Sequence, residues 1–138
     1  MKGRYLIDKS ALARRGNPAV RARLDALDRD GLLAVCAPTE CEVLYSARGK
    51  PEVLRLRTLL RGFDCLPCND EAFEQALAIQ ALALNAGFHR ALSLADVLIA
   101  ATAERHGAAV LHYDGDFDMI ASVSGLQAEW VVEPGTAD

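Results

Sequence analysis

The chain has 138 residues, of which 51% are hydrophobic and 25% are charged, and its formal net charge is −4. These values are typical of a globular domain, and the length suits a single domain, residues 1–138, with one hydrophobic core. The apolar runs are short and interrupted, and residues 1–8 lack the long apolar segment and cleavage site of a secretory signal, so we expect no membrane span and a cytoplasmic location.

Short apolar runs alternate with amphipathic segments along the chain. We predict strands where apolar residues are continuous, and helices where they recur every three or four positions. The predicted strands cover residues 4–8, 32–36, 63–68, the stretch that begins at 109, and 128–132. The predicted helices cover residues 10–15, 18–30, 38–48, 52–61, 69–85 and 93–106. The remaining residues, 133–138, are expected to fray.

Strands that alternate with helices in a short chain predict an α/β fold, with a central parallel sheet of four to five strands flanked by helices. Sites in open parallel sheets lie beyond the carboxyl ends of the strands. The first predicted strand ends at Asp8, and the fourth runs into Asp114, Asp116 and Asp118. If these two strands are neighbours, Asp8 and Asp114 are neighbours as well.

Charge is distributed unevenly along the chain. Residues 1–61 contain 13 Lys and Arg against 7 Asp and Glu, whereas residues 62–138 contain 2 against 12. One part could therefore present a cationic surface to a polyanion while the other supplies acidic ligands to a metal. Alternatively, folding mixes the two parts and no basic surface survives.

Two further acids lie at predicted helix starts. Thr39 precedes Glu42 by three residues, and Ser93 precedes Asp96 by the same interval. This is the capping-box spacing, so both acids could simply accept hydrogen bonds from backbone amides. Helix starts can also lie near strand ends, where several carboxylates without a nearby Cys or His pair would suit Mg²⁺ or Mn²⁺. Such a site suits phosphodiester hydrolysis, because a metal neutralises phosphate charge and lowers the pKa of bound water.

Four short segments contain these acids in a characteristic order. They are Tyr5-Leu-Ile-Asp8-Lys-Ser10, Glu42-Val-Leu-Tyr-Ser-Ala-Arg48, Ala95-Asp96-Val-Leu-Ile-Ala100 and His112-Tyr-Asp114-Gly-Asp116-Phe117. Together they make the chain resemble the PIN-domain family, and specifically the VapC-type toxin ribonucleases of type II toxin–antitoxin systems. The resemblance covers essentially the whole chain. It implies a PIN-like three-layer sandwich and a Mg²⁺-dependent endoribonuclease, usually a homodimer, that a cognate antitoxin inhibits by lying across its surface and active site.

The resemblance also implies roles for individual residues. It assigns an acidic quartet: Asp8, Glu42, Asp96 and Asp114. Asp8 and Asp96 would be the most direct metal ligands, while Glu42 and Asp114 would bind a second metal or orient the attacking water. Asp116 would be a further catalytic acid, and Ser10 would hydrogen-bond beside the first acid. Glu40 competes with Glu42 for its role, and Asp118 falls outside the match and is expected to be solvated.

Each of the remaining polar residues that could have a functional role could also have a purely structural one. Arginines of residues 1–61, with Arg14, Arg15 and Arg48 foremost, could bind RNA phosphates, although any one of them could be an ordinary surface arginine. His112 is expected to be a buried, hydrogen-bonded histidine. Cys65 and Cys68 have the spacing of redox dithiols and half zinc sites, but Cys36 and Cys65 also lie in apolar, strand-like runs where buried cysteines are common, and the sequence assigns the Cys65–Cys68 pair no role.

Two alternatives to a toxin ribonuclease follow from the same residues. A catalytically silent PIN-like module would bind RNA or protein only, but the presence of all four quartet acids argues against it. A phosphotransfer enzyme of the haloacid dehalogenase type would also place Asp at the end of its first strand. That family has a second Asp two residues later, where this chain has Ser10.

Overall fold

The structure is a computed structural model that describes residues 3–138. Its strands are β1 (Tyr5–Ile7), β2 (Leu33–Val35), β3 (Asp64–Cys65), β4 (Ala109–His112) and β5 (Gln127–Trp130). They form one parallel sheet in the spatial order β3-β2-β1-β4-β5. The predicted α/β class and five-stranded parallel sheet are confirmed, with the fifth strand at an edge.

Seven α-helices connect and cover these strands within residues 3–138. They are α1 (Lys9–Leu12), α2 (Pro18–Arg29), α3 (Ala37–Tyr45), α4 (Lys50–Arg61), α5 (Asp70–Ala86), α6 (Leu94–Arg105) and α7 (Asp116–Val123). Side chains of Asn17, Asn69 and Ser93 accept hydrogen bonds from the first amides of α2, α5 and α6, which fixes where these helices begin. None of the helices in the described residues has both the length and the apolar character to cross a bilayer.

Helices cover both faces of the sheet, because successive residues of a strand point to opposite sides. In β1, Leu6 packs into a core formed with α5, α6 and α7, whereas Ile7 packs into a second core formed with α1 to α4. In β4, Val110 packs into the first of these cores and Leu111 into the second. Burying each large aliphatic side chain contributes about 1.5–3 kcal/mol, so the two cores stabilise a three-layer sandwich.

The central strand β1 lies between β2 and β4, and its register determines the position of the first acid. Ile7 pairs with Leu111 of β4, and the amide of Asp8 donates to the carbonyl of Leu111 at 2.9 Å. Asp8 therefore lies at the carboxyl end of the sheet, beside the residues that follow β4. The condition that would bring Asp8 and Asp114 together, that the first and fourth strands are neighbours, is met.

The stretch that follows β4 differs from the sequence prediction. The strand ends at His112, and α7 begins at Asp116, a helix that the sequence pattern did not predict. Three acids on alternate positions suggest a strand end or a turn. Phe117 and Ile120, both fully buried and spaced three residues apart, are the signal that favours a helix.

Two other local expectations were wrong, and one was confirmed. The strand predicted over residues 63–68 forms only at Asp64–Cys65 at the sheet edge, so Cys65 is exposed and not buried. The Thr39–Glu42 spacing is not a capping box, because α3 begins two residues before Thr39 with Cys36 at its N-cap. The corresponding bond at Ser93 does form, since the amide of Asp96 donates to Ser93 Oγ at 3.0 Å.

Residues 133–138 do not fray. The hydroxyl of Tyr113 accepts hydrogen bonds from the amides of Gly135 and Ala137, at 2.8 and 3.0 Å, and Ala137 is buried against the core that contains Ile7. Gly135 has a φ of 85°, a backbone conformation that favours glycine. A buried tyrosine hydroxyl needs hydrogen-bond partners, and this segment provides them.

Candidate active site

Asp8 lies at the junction of β1 and α1 and is 3% exposed. Its Oδ2 accepts hydrogen bonds from the amide and the hydroxyl of Ser10, at 2.9 and 2.6 Å, whereas its Oδ1 is buried without a partner within residues 3–138. Burial raises the pKa of Asp8, the bonds from Ser10 lower it, and the charge of Asp114 raises it. The Ser10 hydroxyl also accepts from the amide of Tyr113 at 2.8 Å, which links the ends of β1 and β4.

Asp96 lies in the first turn of α6 and is 6% exposed. It belongs to a helix that is buried along most of its length, and its side chain lines a cavity at the carboxyl end of the sheet. Burial raises its pKa from 3.8 to about 7, with further contributions from the charges of Asp8, Asp114, Glu42 and Asp116. An acid in this position favours either a proton or a cation.

Asp114 and Asp116 follow β4 at the turn into α7. The amide of Asp114 donates to Nδ1 of His112 at 3.1 Å, and Oδ1 of Asp114 accepts from the amide of Asp116 at 3.0 Å. Burial and the charge of Asp114 raise the pKa of Asp116. These bonds hold the turn so that both carboxylates face Asp96.

Glu42 projects from the middle of α3 and is half-buried. Burial and the charges of Asp8 and Asp114 raise its pKa, while Lys9 lowers it. The competing Glu40 lies on another face of α3, near Cys65, where burial and then the charge of Glu40 raise the pKa of the Cys65 thiol.

Two groups of carboxylates share Asp96. One oxygen each from Asp8, Glu42 and Asp96 lie within 4.8 Å of one another, and so do one oxygen each from Asp96, Asp114 and Asp116. Asp8, Glu42, Asp96 and Asp114 line a cavity of about 280 Å³ together with Lys9 and Arg14, and Asp116 lies beside Asp96 and Asp114 outside that lining. No arginine or lysine forms a salt bridge with these five acids within residues 3–138. The oxygen donors, their spacing and the unpartnered Oδ1 of Asp8 fit a hard divalent cation.

Comparisons with known proteins identify the family to which the chain belongs. The PIN domain family matches residues 5–123. Ribonuclease VapC21 of Mycobacterium tuberculosis is 44% identical over 138 residues, which covers 99% of this chain and 100% of that protein. The chain belongs to the PIN domain family and, within it, to the VapC ribonucleases.

Solved structures share the fold of this PIN domain. VapBC2 from Rickettsia felis, bound to a DNA fragment from its promoter, superposes with a TM-score of 0.76 at 14% identity and covers 91% of this chain and 96% of its own. A toxin–antitoxin complex from Klebsiella pneumoniae has a TM-score of 0.69 at 22% identity, covering 94% of this chain and 98% of its own. At these identities the likeness shows the fold alone, and it confirms the PIN-like sandwich.

The three arginines named as RNA-binding candidates lie in two places in this PIN domain. Arg14 lines the acidic cavity, whereas Arg15 and Arg48 line a separate cavity of about 370 Å³ with Arg55. The Arg48 side chain is 92% exposed and lies 3.6 Å from Glu52. Of these three arginines, the structure therefore places Arg14 beside the acids.

Other candidates have structural roles in this PIN domain. His112 is fully buried, as predicted, and its Nδ1 accepts a hydrogen bond from the amide of Asp114. Asp118 is exposed, but it also accepts from Nε1 of Trp130 at 2.8 Å, so it is more than a solvated turn acid. Cys65 and Cys68 are free thiols and take part in neither group of potential metal ligands.

Sequence reasoning missed Lys9, which lines the cavity, and Tyr113, whose ring contacts Arg14 in the cavity wall. Lys9 was passed over although it follows Asp8 directly, and it is a second cation in the cavity wall. Tyr113 gave only a weak signal, an aromatic residue between a strand and an acid. Its hydroxyl and ring contacts involve residues more than 20 positions away, which no local pattern indicates.

Proposed function

We propose that this protein is a Mg²⁺-dependent endoribonuclease toxin of a toxin–antitoxin pair, acting as a single PIN domain in the cytoplasm. The observation that carries the proposal is the pair of carboxylate groups that share Asp96, since such an arrangement can hold one or two divalent cations beside a phosphate. The 44% identity to Ribonuclease VapC21 over the whole chain supports the same activity.

The carboxylates have distinct proposed roles. Asp8, Glu42 and Asp96 would hold one Mg²⁺ or Mn²⁺, and Asp96, Asp114 and Asp116 could hold a second. The bound metal would neutralise the charge of the scissile phosphate and lower the pKa of a coordinated water. Ser10 fixes Oδ2 of Asp8 and leaves Oδ1 directed away from protein donors, which suits Oδ1 for ligation. Glu42, the half-exposed member of the first group, would alternatively orient the attacking water, as would Asp114 in the second group.

RNA would approach through the cationic residues around the acids. Arg14 and Lys9 lie in the cavity wall and can bind the phosphates that flank the cleaved bond. Arg15 and Arg48 line the neighbouring cavity and would contact the RNA backbone further away. This arrangement gives backbone contacts, which position RNA without reading its sequence.

An antitoxin segment would occupy the apolar groove that adjoins the acids. This groove has a volume of about 570 Å³ and shares Lys9 and Glu42 with the acidic cavity. Tyr45, Phe73 and Leu94 line it with largely exposed side chains. A segment lying there would cover the approach to Glu42. The homodimer remains a prediction, and the exposed leucines of α5, Leu77 and Leu84, offer an apolar face for it.

The decisive experiment measures RNA cleavage by purified protein that has been freed of any partner. Structured RNAs are incubated with Mg²⁺ and with EDTA, using wild-type protein, Asp8→Asn, Asp96→Asn and the matched control Glu40→Gln. We expect cleavage by wild type and Glu40→Gln in Mg²⁺ only, and no detectable cleavage by either aspartate variant, because each lacks a proposed metal ligand.

Two outcomes would contradict the proposal. Cleavage that persists in EDTA, or in both aspartate variants, would exclude the metal mechanism. Binding without cleavage of any RNA across a diverse pool would favour the catalytically silent module.

A further inference from the structure

Arg14 is held in the wall of the acidic cavity by two separate parts of the chain. Its Nη1 donates to the carbonyl of Ser10 at 2.9 Å, and its Nε donates to the carbonyl of Ala137 at 3.1 Å. Both acceptors are neutral, and Arg14 forms no salt bridge within residues 3–138. A guanidinium has five N–H donors, so Arg14 keeps its charge and three donors for an anion.

Residues 133–138, which we call the Tyr113 strap, are organised by one side chain. The Tyr113 hydroxyl accepts from the amides of Gly135 and Ala137 and donates to Oδ1 of Asp138 at 2.8 Å. The Tyr113 ring lies against the guanidinium of Arg14, with 4.3 Å between Cζ and the ring centroid. Tyr113 thus positions Arg14 directly through its ring and indirectly through the strap carbonyl of Ala137.

The same tyrosine is tied to the acids. Its amide donates to the Ser10 hydroxyl that binds Asp8, and Asp114 follows it in the chain. The position of Arg14 is therefore fixed relative to the carboxylates. A fixed arginine loses less conformational freedom on binding a phosphate than a mobile one.

We propose that the Tyr113 strap is a positioning element that holds Arg14 as a phosphate-binding residue for RNA at the acidic cavity. This inference rests on the proposed ribonuclease function and adds to it a residue contact and the segment that supports it.

Binding of a short fluorescein-labelled single-stranded RNA pool of random sequence tests the inference. Fluorescence anisotropy is measured in the Asp96→Asn background, so that binding is followed without cleavage. Adding Arg14→Gln should weaken binding about 10-fold at low salt and reduce the slope of log Kd against log salt concentration by about 0.7. Tyr113→Phe keeps the ring but frees the strap, and it should weaken binding about 3-fold when Arg14 is present. It should have no effect when Arg14 is replaced.

Arg21→Gln is the matched control, because Arg21 also donates from Nε to a backbone carbonyl but lies on α2 outside the cavity. Any of three results would overturn the inference. Tyr113→Phe could weaken RNA binding equally with and without Arg14, or Arg14→Gln could leave the slope of log Kd against log salt concentration unchanged. Arg21→Gln could also weaken RNA binding as much as Arg14→Gln does. Circular dichroism shows whether each variant is folded, and deletion of residues 133–138 repeats the test if Tyr113→Phe is not. Failure of the wild type to cleave RNA would count against the ribonuclease proposal and would not alter this binding cycle.

Discussion

Replacing Asp96 with Asn should stabilise the metal-free protein at alkaline pH, although it removes a proposed metal ligand. Asp96 is buried, and no hydrogen-bond donor within residues 3–138 reaches its carboxylate. Burial and four neighbouring acids raise its pKa from 3.8 to about 7. The ionised form is therefore disfavoured in the folded state, and neutral Asn of similar size avoids that cost.

The magnitude follows from the two pKa values of Asp96. Their difference corresponds to an upper limit of about 4 kcal/mol at pH 8, where Asp96 is ionised in both the folded and the unfolded protein. Coupled protonation of the other acids reduces this figure, and we expect about 2 kcal/mol. Between pH 7 and pH 4 the folded protein binds a proton that the unfolded chain lacks, so the stability of the wild type rises as the pH falls. The advantage of Asp96→Asn should shrink to less than half by pH 5.

Urea unfolding followed by circular dichroism in EDTA, at pH 8 and pH 5, measures both effects. Asp25→Asn is the control, because Asp25 is an exposed acid on α2 and its replacement should change the free energy of unfolding by less than about 0.5 kcal/mol. If Asp96→Asn is no more stable than the wild type at pH 8 while the control is neutral, the acids do not repel one another as the structure indicates.

Three further predictions concern the metal, the support of Asp8 and the core. Mn²⁺ should raise the Tm of the wild type more at pH 8 than at pH 5, because protons compete for the same carboxylates; an equal shift in Asp96→Asn would contradict this. Ser10→Ala should weaken Mn²⁺ binding about 10–100-fold in a calorimetric titration, and unchanged affinity would remove Ser10 from the site. Phe117→Ala should lower the free energy of unfolding in urea by about 3–5 kcal/mol, and a loss below about 1 kcal/mol would show that α7 is not a core element.

The predictable part of the fold came from short-range patterns. Leu6 and Ile7 belong to a continuous apolar run, which is what a strand buried on both faces requires, and the acid that ends the run lies where parallel sheets place their sites. The sequence left the strand order open and gave only the consequence, that Asp8 and Asp114 meet if their strands are neighbours, and the pairing of β1 with β4 shows that they are.

The parts that were not predictable depend on contacts distant in sequence. The segment 133–138 is polar, and it is ordered because the Tyr113 hydroxyl, more than 20 residues away, binds its amides. Helix α7 was not predicted from the sequence because the alternating acids suggest a turn, although Phe117 and Ile120 have helical spacing. At Glu42, the capping-box pattern indicated a helix start, but α3 begins earlier at Ala37 because Cys36 is the last extended residue.

The rigidity of the elements that carry the acids explains why their repulsion persists in the metal-free protein. Asp8 is fixed by Ser10 between a central strand and α1, and Asp96 belongs to a helix buried on nearly every face. Asp114 is held by the bond from its amide to the buried His112. Because Asp8 and Asp96 are buried on elements packed into the cores, their carboxylates stay close together, and the electrostatic cost of this pair is retained until a cation or a proton binds. The two cores therefore stabilise a site that is unfavourable on its own, and the same rigidity makes it a good site for a divalent metal.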